Sequence, residues 1–391
     1  MNCHYFNPEN DLALAQGGSN YNPPQSAITL ARDLSILPLW FAGDDDVVLV
    51  RRDVPADWLR DILSSLGVRA QWLPFSEWKR HSSEDDCLVP WGWNASLLRE
   101  WNSVSKRKIE MDVDALRTLS HRRFSIEVLT ELEHYSLLRP AFVKPVECFS
   151  LEEIRSFVES YPKCVLKAPW SCSGKGLRWT DGAWDDMTSA WCANILKRQR
   201  SVVCEVALDK VADFAMEFFS NGENVSFAGY SLFSADDSGT YRSNFLLSND
   251  GIVRRLSECM DVSSFPQVAE CLEAFFSRKV SPLYKGYFGV DMLIAKAGGE
   301  CFLNPCVEVN LRMNMGVVSR VITDRFLAPS SSGEYIILAN RTSEELLRMF
   351  DLLERENPLV ICDGKVVSGF LPLTYVDGQT HYAAIAQVRQ K

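Results

Sequence analysis

The sequence predicts a small parallel α/β domain followed by a longer, strand-rich α+β region. Three observations support this division. Short apolar runs alternate with helix-like runs in the first third, strand-like runs dominate from Val202 onward, and a Gly298-Gly299 turn separates two long strand-like segments. The 391 residues are enough for about two to three domains.

The first third alternates strands and helices, which is typical of a parallel sheet with crossover helices. A polar segment, Asn7–Asp11, follows the first strand, and Pro23-Pro24 opens the first long helix. The expected strands are Cys3–Phe6, Val47–Val50, Val68–Leu73 and Cys87–Pro90, and the expected helices are Gln25–Ser35 and Trp58–Leu66.

The remaining elements follow from the same patterns. The expected helices are Asp112–Leu119, Arg123–Leu132, Glu152–Ser160, Val268–Ser277 and Ser343–Glu356. The expected strands are Lys163–Ala168, Val202–Val206, Asp213–Phe219, Ser226–Phe233, Phe288–Ala295, Cys301–Leu311, Leu359–Cys362 and Val366–Leu371.

The composition excludes several classes of function. With 41 basic and 51 acidic residues the net charge is −10, which is unfavourable for general nucleic-acid binding. We find no apolar run of membrane-spanning length and no signal-peptide pattern at the N-terminus. Most of the 12 cysteines lie in apolar contexts without a Cys-x-x-Cys pair, so we expect reduced thiols in a cytoplasmic protein.

A loop with a lysine on each side follows the strand-like run that ends at Lys167. Residues 169–176 read Pro-Trp-Ser-Cys-Ser-Gly-Lys-Gly; small residues let backbone N–H groups approach an anion, and Lys175 supplies countercharge. The Walker A pattern is absent, because Pro169 stands where its first glycine belongs and Gly176 where its Ser or Thr belongs. Taken alone, the segment also fits a glycine turn with solvated lysines.

The segments that flank Gly298-Gly299 predict an antiparallel hairpin. A turn centred on the two glycines places Asp291 opposite Cys306, and a turn one residue later places it opposite Glu308. Because side chains alternate along a strand, both registers put Asp291 on the face of positions 306, 308, 310 and 312, unless Pro305 introduces a bulge. The opposite, core-facing residues are then Val307, Val309 and Leu311.

Two carboxylates and an amide oxygen on one face are the hard oxygen ligands that Mg²⁺ prefers. Asp291, Glu308 and Asn310 are therefore candidate metal ligands. Unpaired carboxylates on a half-buried sheet repel each other and are costly to desolvate, which favours a bound cation. The alternative is a solvated face on which Arg312 pairs with Glu308.

In their order along the chain these features resemble the ATP-grasp superfamily of carboxylate ligases and related enzymes. The resemblance covers roughly residues 115 to 325 and rests on the strand lysine, the glycine-containing loop, an acidic hinge and strand at 204–218, and Glu-x-Asn at 308–310. It implies an N-terminal α/β domain (1–117) before an α+β ATP-grasp fold. Two subdomains, 118–207 and 208–391 with its C-terminal extension, would clasp ATP between antiparallel sheets.

The resemblance also implies roles for individual residues. Asp291, Glu308 and Asn310 match the metal ligands. The implied catalytic residues are Lys167, which matches the strand lysine that binds the ATP phosphates, and Arg312, which falls where many members stabilise the transferred phosphoryl group or acyl phosphate. The implied ATP-binding residues are Arg123, Lys167, Ser173, Gly174, Lys175, Gly176, Glu205, Val206, Leu208 and Asp213.

One position departs from the family pattern. An earlier family lysine is replaced here by arginine, and either Arg122 or Arg123 is suitably placed to supply the charge. A basic helix N-terminus that faces solvent is the alternative interpretation. Glu205 and Asp213 could likewise be ordinary surface strand residues.

The resemblance implies an ATP- and Mg²⁺-dependent ligase that activates a small-molecule carboxylate as an acyl phosphate for attack by an amine or thiol. The cofactors would be ATP and two Mg²⁺ ions, with Mn²⁺ able to substitute, and the partners would include no nucleic acid and no membrane, with a homodimer by family analogy. The alternatives are a small-molecule kinase and a nucleotide-binding protein without catalysis. Asn7–Asp11 could contact substrate, although Asx turns and helix caps explain it better, and residues 328–391 have no assigned role.

Overall fold

The structure is a computed structural model that describes residues 1–140, 142–171, 176–235, 241–340 and 342–390, without the side chains of Lys79 and His81. Within these ranges the strands form a four-stranded, a second four-stranded and a nine-stranded sheet. Within the same ranges, no helix is long and apolar enough to cross a lipid bilayer.

The N-terminal residues form the predicted parallel α/β domain. Its elements are β1 (Asn2–Tyr5), α1 (Asn10–Gln16), α2 (Gln25–Asp33), β2 (Val47–Val50), α3 (Arg60–Ser65), β3 (Gln71–Pro74), α4 (Phe75–His81), β4 (Cys87–Pro90) and α5 (Ala95–Val104). The strands lie in the order β3-β2-β1-β4, and every pair is parallel. The loops that follow β1, β2 and β4 therefore meet at one edge of the sheet.

A second, antiparallel sheet of four strands has the order β5-β8-β6-β7. Its segment contains α6 (Val113–Leu119), α7 (Phe124–His134), β5 (Val146–Cys148), α8 (Leu151–Ser160), β6 (Cys164–Lys167), β7 (Leu177–Thr180), α9 (Asp186–Gln199) and β8 (Val202–Val206). Helix α8 begins with a reciprocal capping box between Ser150 and Glu153. Its buried Ile154 and Val158 pack with Leu166 of the sheet.

The third sheet contains nine antiparallel strands in the order β13-β12-β9-β10-β11-β14-β17-β16-β15. Its segment contains β9 (Asp209–Ser220), β10 (Val225–Ala235), β11 (Tyr241–Leu246), α10 (Asn249–Ser257), α11 (Phe265–Lys279), β12 (Gly286–Ala297), β13 (Glu300–Asn310), α12 (Met315–Phe326), β14 (Ser331–Ala339), α13 (Ser343–Glu356), β15 (Val360–Cys362), β16 (Lys365–Pro372) and β17 (Tyr382–Gln390). One face of this sheet packs on α7 and α11 around Phe214, Phe218 and Phe288. Helix α7 therefore packs on the large sheet, although it lies in the segment assigned to the small subdomain.

The β12–β13 hairpin combines features of both expected registers. Next to the turn, Ala297 pairs with Glu300, so the turn is centred on the two glycines. A β-bulge then shifts the pairing by two residues, and Asp291 lies directly opposite Glu308.

Because of the bulge, the predicted faces of two residues next to Pro305 are wrong. Cys306 belongs to the core, whereas Val307, expected in the core, lines the cleft beside Glu308. Val309 and Leu311 are core residues, as predicted. The expected alternation fails over these few residues because the bulge places neighbouring side chains on the same side.

The C-terminal residues are an integral part of the large sheet. Strand β17 lies between β14 and β16, and Leu371 and Ala384 share a buried cluster with Phe6 and Val48 of the N-terminal domain. The Trp40 indole N–H donates to the carbonyl of Leu373 at 2.7 Å. The tail thus joins the N-terminal domain to the large sheet.

This shared core predicts the effect of a pair of leucine substitutions. Leu371 is 0% exposed, and Leu371→Ala should lower the free energy of unfolding by about 2–5 kcal/mol, because it removes buried methyl groups and leaves a cavity. The matched control is Leu352→Ala on α13, where the side chain is 45% exposed. Urea denaturation measures both, and equal effects would contradict an integral role for the tail.

Candidate active site

A cavity of about 800 Å³ lies between the small sheet, one face of the large sheet and loops of the N-terminal domain. On the large sheet it crosses seven adjacent strands, from β13 to β17. Strands in a sheet lie about 4.8 Å apart, so these seven span roughly 29 Å. The cavity is lined by nine of the residues selected from the sequence, namely Lys167, Glu205, Val206, Leu208, Asp213, Asp291, Glu308, Asn310 and Arg312.

Asp291 and Glu308 form an acidic pair in the wall of this cavity. Desolvation, together with the neighbouring Glu308 and Glu217 carboxylates, raises the pKa of Asp291 to about 8. Desolvation opposes ionisation of Glu308 as well, but the Arg122 guanidinium holds the pKa of that carboxyl below its ordinary value. The pair therefore combines one ionised carboxylate with one that holds its proton near neutral pH.

Asn310 and Arg312 continue the polar row beside the acidic pair. The Asn310 amide donates to Asp291 at 2.9 Å, and its oxygen accepts from Arg312 at 3.1 Å. Arg312 also donates through Nε to Asp11 of the N-terminal domain at 2.8 Å. Arg312 is therefore held between the large sheet and the start of α1.

Of the two candidate arginines, the structure places Arg122 at the cleft. Its guanidinium makes a bidentate contact with Glu308, at 3.2 Å and 3.1 Å, and donates to the carbonyl of Ala168 at 3.3 Å. Arg123, the other candidate and one of the implied ATP-binding residues, is exposed at the start of α7 and does not line the cavity. The correction has a simple cause: consecutive residues at a helix start point in different directions, and the packing of α7 selects the first.

A second set of charges comes from β6 and β8 of the small sheet and from β9 of the large sheet. Lys167 at the end of β6 pairs with Glu205 of β8 at 2.6 Å, and Lys210 pairs with Asp213 at 2.6 Å. Because β6 and β8 are hydrogen-bonded neighbours, the lysine and the hinge carboxylate face the same space. All four residues line the cavity.

The predicted phosphate loop is described only at its two ends. The Trp170 indole donates to the carbonyl of Arg117, and the carbonyl of Gly176 accepts from the backbone N–H of Ala168 at 2.8 Å. Gly176 is buried but does not line the cavity. The candidate residues Ser173, Gly174 and Lys175 lie outside the described residues.

Glu217 is a cavity residue that the sequence argument missed. Its side chain accepts from Ser231 at 2.7 Å and from the Asn314 amide at 2.8 Å, and desolvation raises its pKa to about 7. Asp213 and Glu217 are four residues apart on β9, and the core residues Phe214, Met216 and Phe218 occupy the alternate positions. The period-two alternation of a strand therefore contained the signal.

The Asn7–Asp11 segment ties the domains together instead of forming the expected Asx turns and caps. Asn7 exchanges hydrogen bonds with the backbone of Gly92, at 2.7 Å and 3.2 Å, and Asn10 accepts from Asn94 at 3.0 Å. Asp11 reaches Arg312. The loops after β1 and β4 are thus joined to each other and to the residue that follows β13.

The chemistry of the donor set fits a hard divalent cation. Among the described residues, no group of three or more His, Cys, Asp or Glu side chains is arranged to hold a metal ion. A cation at this site would therefore need the Asn310 amide oxygen as a third protein ligand beside the carboxylates of Asp291 and Glu308. Desolvation and then the neighbouring carboxylates raise the pKa of Asp291, and a bound cation would favour its ionised form. Binding would require the Asn310 oxygen to exchange Arg312 for the ion.

Comparison with known proteins shows similarity in structure but not in sequence. No protein-family model matches the chain, and no curated protein is similar to it in sequence. Solved structures with a similar fold include phosphoribosylamine–glycine ligase from Thermotoga maritima, with a TM-score of 0.52 at 13% identity, covering 100% of this chain and 93% of that one.

Two further structures have comparable similarity. Biotin carboxylase from Campylobacter jejuni has a TM-score of 0.51 at 10% identity, with 99% of this chain and 87% of that chain covered. N5-carboxyaminoimidazole synthetase from Staphylococcus aureus, solved with ADP, has a TM-score of 0.50 at 12% identity, with 100% and 93% covered. At these identities the comparison concerns the fold, over the full length of the chain.

The raised pKa of Asp291 predicts a pH-dependent stability difference. Its ordinary pKa is 3.8 and its folded-state pKa about 8, so the folded chain keeps a proton that the unfolded chain releases between these values. Stability from this site is therefore lost as the pH rises from about 4 to about 8. The Asp291→Asn variant has no carboxyl group to titrate here, so its free energy of unfolding should not show this decrease. It should exceed the free energy of unfolding of the wild type by an amount that grows with pH, at most about 1.4 kcal/mol per pH unit.

Chemical denaturation in the presence of a chelator, repeated across this pH range, measures the difference. A difference that stays constant with pH would show that Asp291 is ionised in the folded protein throughout.

Proposed function

The chain has the ATP-grasp fold, and we propose that it is an ATP- and Mg²⁺-dependent ligase. It would convert a substrate carboxylate into an acyl phosphate and transfer the acyl group to an amine or thiol, releasing ADP and phosphate. The observation that carries the proposal is the opposed pair Asp291 and Glu308 in a cleft that also contains Lys167, Arg122 and Arg312. The three structural neighbours, a ligase, a carboxylase and a synthetase by name, support the same class of reaction.

In this proposal the nucleotide lies on the side of the cavity formed by β6, β8, β9, β12 and β13. The backbone of Val206 and Leu208 and the Glu205 carboxylate would meet the adenine, and Asp213 would accept from the ribose hydroxyls. Lys167 and Arg122 would contact the phosphates. Both cations are already in the cleft and ion-paired, so bound phosphate oxygens would replace or share carboxylate partners.

Asp291, Glu308 and Asn310 would hold Mg²⁺, as one or two ions. When bound, the metal would neutralise charge on the outer phosphates of ATP. Arg122 would stay beside Glu308 and keep that carboxylate ionised, which is the state a cation requires.

The reaction needs positioning and charge stabilisation more than a protein nucleophile. A carboxylate oxygen of the substrate attacks the γ-phosphorus, the bond to the β–γ bridging oxygen breaks, and ADP leaves. The amine nitrogen or thiol sulfur then attacks the acyl carbon, phosphate leaves with the electron pair of the C–O bond, and the nucleophile loses its proton. Arg312, fixed by Asp11, would stabilise the charge on the acyl phosphate.

Hydroxylamine provides the test of acyl phosphate formation, because it traps such intermediates as hydroxamates. With ATP, Mg²⁺ and a panel of carboxylic acids, at least one acid should give ADP, phosphate and hydroxamate in equal amounts. Phosphate retained on an alcohol product would establish a kinase instead. ATP binding without ADP formation for any acid or alcohol would favour a protein without catalysis.

Glu308→Gln should lower Mg²⁺-dependent ADP formation by at least about a hundredfold, since it removes a charge that the metal and Arg122 both need. The matched control is Glu300→Gln, at the exposed start of the same strand, which should retain wild-type rates. Turnover of Glu308→Gln close to that of the control would refute the metal assignment.

The two arginines can be separated in the same assay. Arg122→Ala should lower kcat/KM for ATP by about a hundredfold or more, because its guanidinium lies in the cleft. Arg123→Ala should leave turnover near the wild-type value, because that side chain is exposed. The reverse order of effects would return the role to Arg123.

A further inference from the structure

The half of the cavity away from the proposed nucleotide side is lined by apolar side chains, with the polar residues Ser26, Ser231, Tyr241 and Asn244 among them. It extends over β10, β11, β14 and β17 and is closed by α1 and α2 of the N-terminal domain. We call this half the apolar chamber, and define it by Leu12, Ala27, Leu30, Phe233, Met315 and Ile337. The residues of the two N-terminal helices and Ile337 are half-buried, so they still present surface to the space they enclose.

None of the six residues that define this chamber is cationic, and the nearest cation is Arg312, whose partner Asp11 lies next to Leu12. The cationic residues that line the described part of the cavity are on the nucleotide side, and each has a carboxylate partner. The pairs are Arg122–Glu308, Lys167–Glu205, Lys210–Asp213 and Arg312–Asp11.

Nearby basic residues of the N-terminal domain are also engaged. Arg51 pairs with Glu9 at 3.1 Å and lies over the Tyr5 ring, and Arg52 pairs with Asp377. Glu9 itself lines the cavity and brings negative charge to its wall. A phosphorylated or otherwise polyanionic group in the chamber would therefore meet no described cation that is not already paired with a carboxylate.

We propose that the carboxylic acid substrate carries an uncharged, apolar group, aliphatic or aryl, which binds in the apolar chamber. Its carboxylate would point toward Arg312 and the acidic pair. Ligand pockets select mainly by the apolar surface they bury, and a few polar groups fix the orientation of the ligand. The wall of the apolar chamber would therefore determine which acid reacts. The inference rests on the proposed function for the direction of the carboxylate, but the binding of the apolar group does not depend on turnover.

The proposal also gives the C-terminal residues a role. Ile337 of β14 and Tyr382 of β17 line the cavity, and these two strands are neighbours in the sheet. The extension that had no assigned role in the sequence would thus form one wall of the substrate pocket.

A homologous series of acids tests the proposal at constant charge. Binding of propanoate, butanoate, pentanoate and hexanoate is measured by isothermal titration calorimetry with the full chain, ADP and Mg²⁺. The dissociation constant should fall by up to about fourfold for each added methylene, as expected for burial of apolar surface. The dianionic 3-phosphonopropanoate should bind more weakly than butanoate.

Two variants place the effect in the chamber. Leu30→Lys should abolish the dependence on chain length, while Ile28→Lys, on the same helix but 40% exposed and outside the cavity lining, should keep it. Ala27→Phe fills space without adding charge, so it should weaken hexanoate binding while propanoate binding stays unchanged. Circular dichroism and ADP affinity establish that each variant is folded.

The proposal would be overturned if the dissociation constant did not depend on chain length in the wild type, or if 3-phosphonopropanoate bound more tightly than butanoate. It would also be overturned if the dependence on chain length were the same in Leu30→Lys and Ala27→Phe as in the wild type. Failure of the ligase assignment has a different signature. In that case the acids still show the chain-length dependence in calorimetry, but none of them gives hydroxamate or ADP.

Discussion

Two carboxylates facing each other across one hairpin set the charge balance of the whole cleft. Asp291 and Glu308 are brought into register by a bulge, and their repulsion is relieved only in part by Arg122 from the start of α7. Lys167 and Arg312 add positive charge on either side, each tied to an acidic partner. The cleft is therefore a set of balanced ion pairs, and an anionic ligand with its cation can enter by exchanging partners rather than by creating new buried charge.

Contacts distant from the reacting groups fix this arrangement. The loops after β1 and β4 are joined through Asn7 and Asn10, and Asp11 extends that connection to Arg312. Behind them, Trp40 and its apolar neighbours form a single core with the C-terminal strands. The N-terminal domain and the large sheet thus share both a polar connection at the cleft and an apolar one beneath it, which favours a fixed relative position of the two walls.

Local patterns were sufficient to predict the parallel domain, the hairpin and the shared face of Asp291, Glu308 and Asn310, because strand alternation depends on neighbouring residues. They were insufficient for Arg122 and Arg123, since adjacent residues just before a helix point in different directions and tertiary packing decides which one faces inward. The bulge that moved Val307 into the cleft likewise needs the partner strand. Contacts between positions as distant in sequence as 11 and 312 leave no local pattern, whereas the alternation along β9 is sufficient to place Glu217 on the same face as Asp213.

The position of β17 has a consequence for how the molecule is made. Residues 382–390 lie between two earlier strands rather than at an edge, and Tyr382 reaches the cavity wall. Until this segment has left the ribosome, β14 and β16 cannot be bridged and two strand edges stay unpaired. The cleft therefore cannot be completed before residues 382–390 are in place, and a chain without them would expose two unpaired strand edges through which copies can associate.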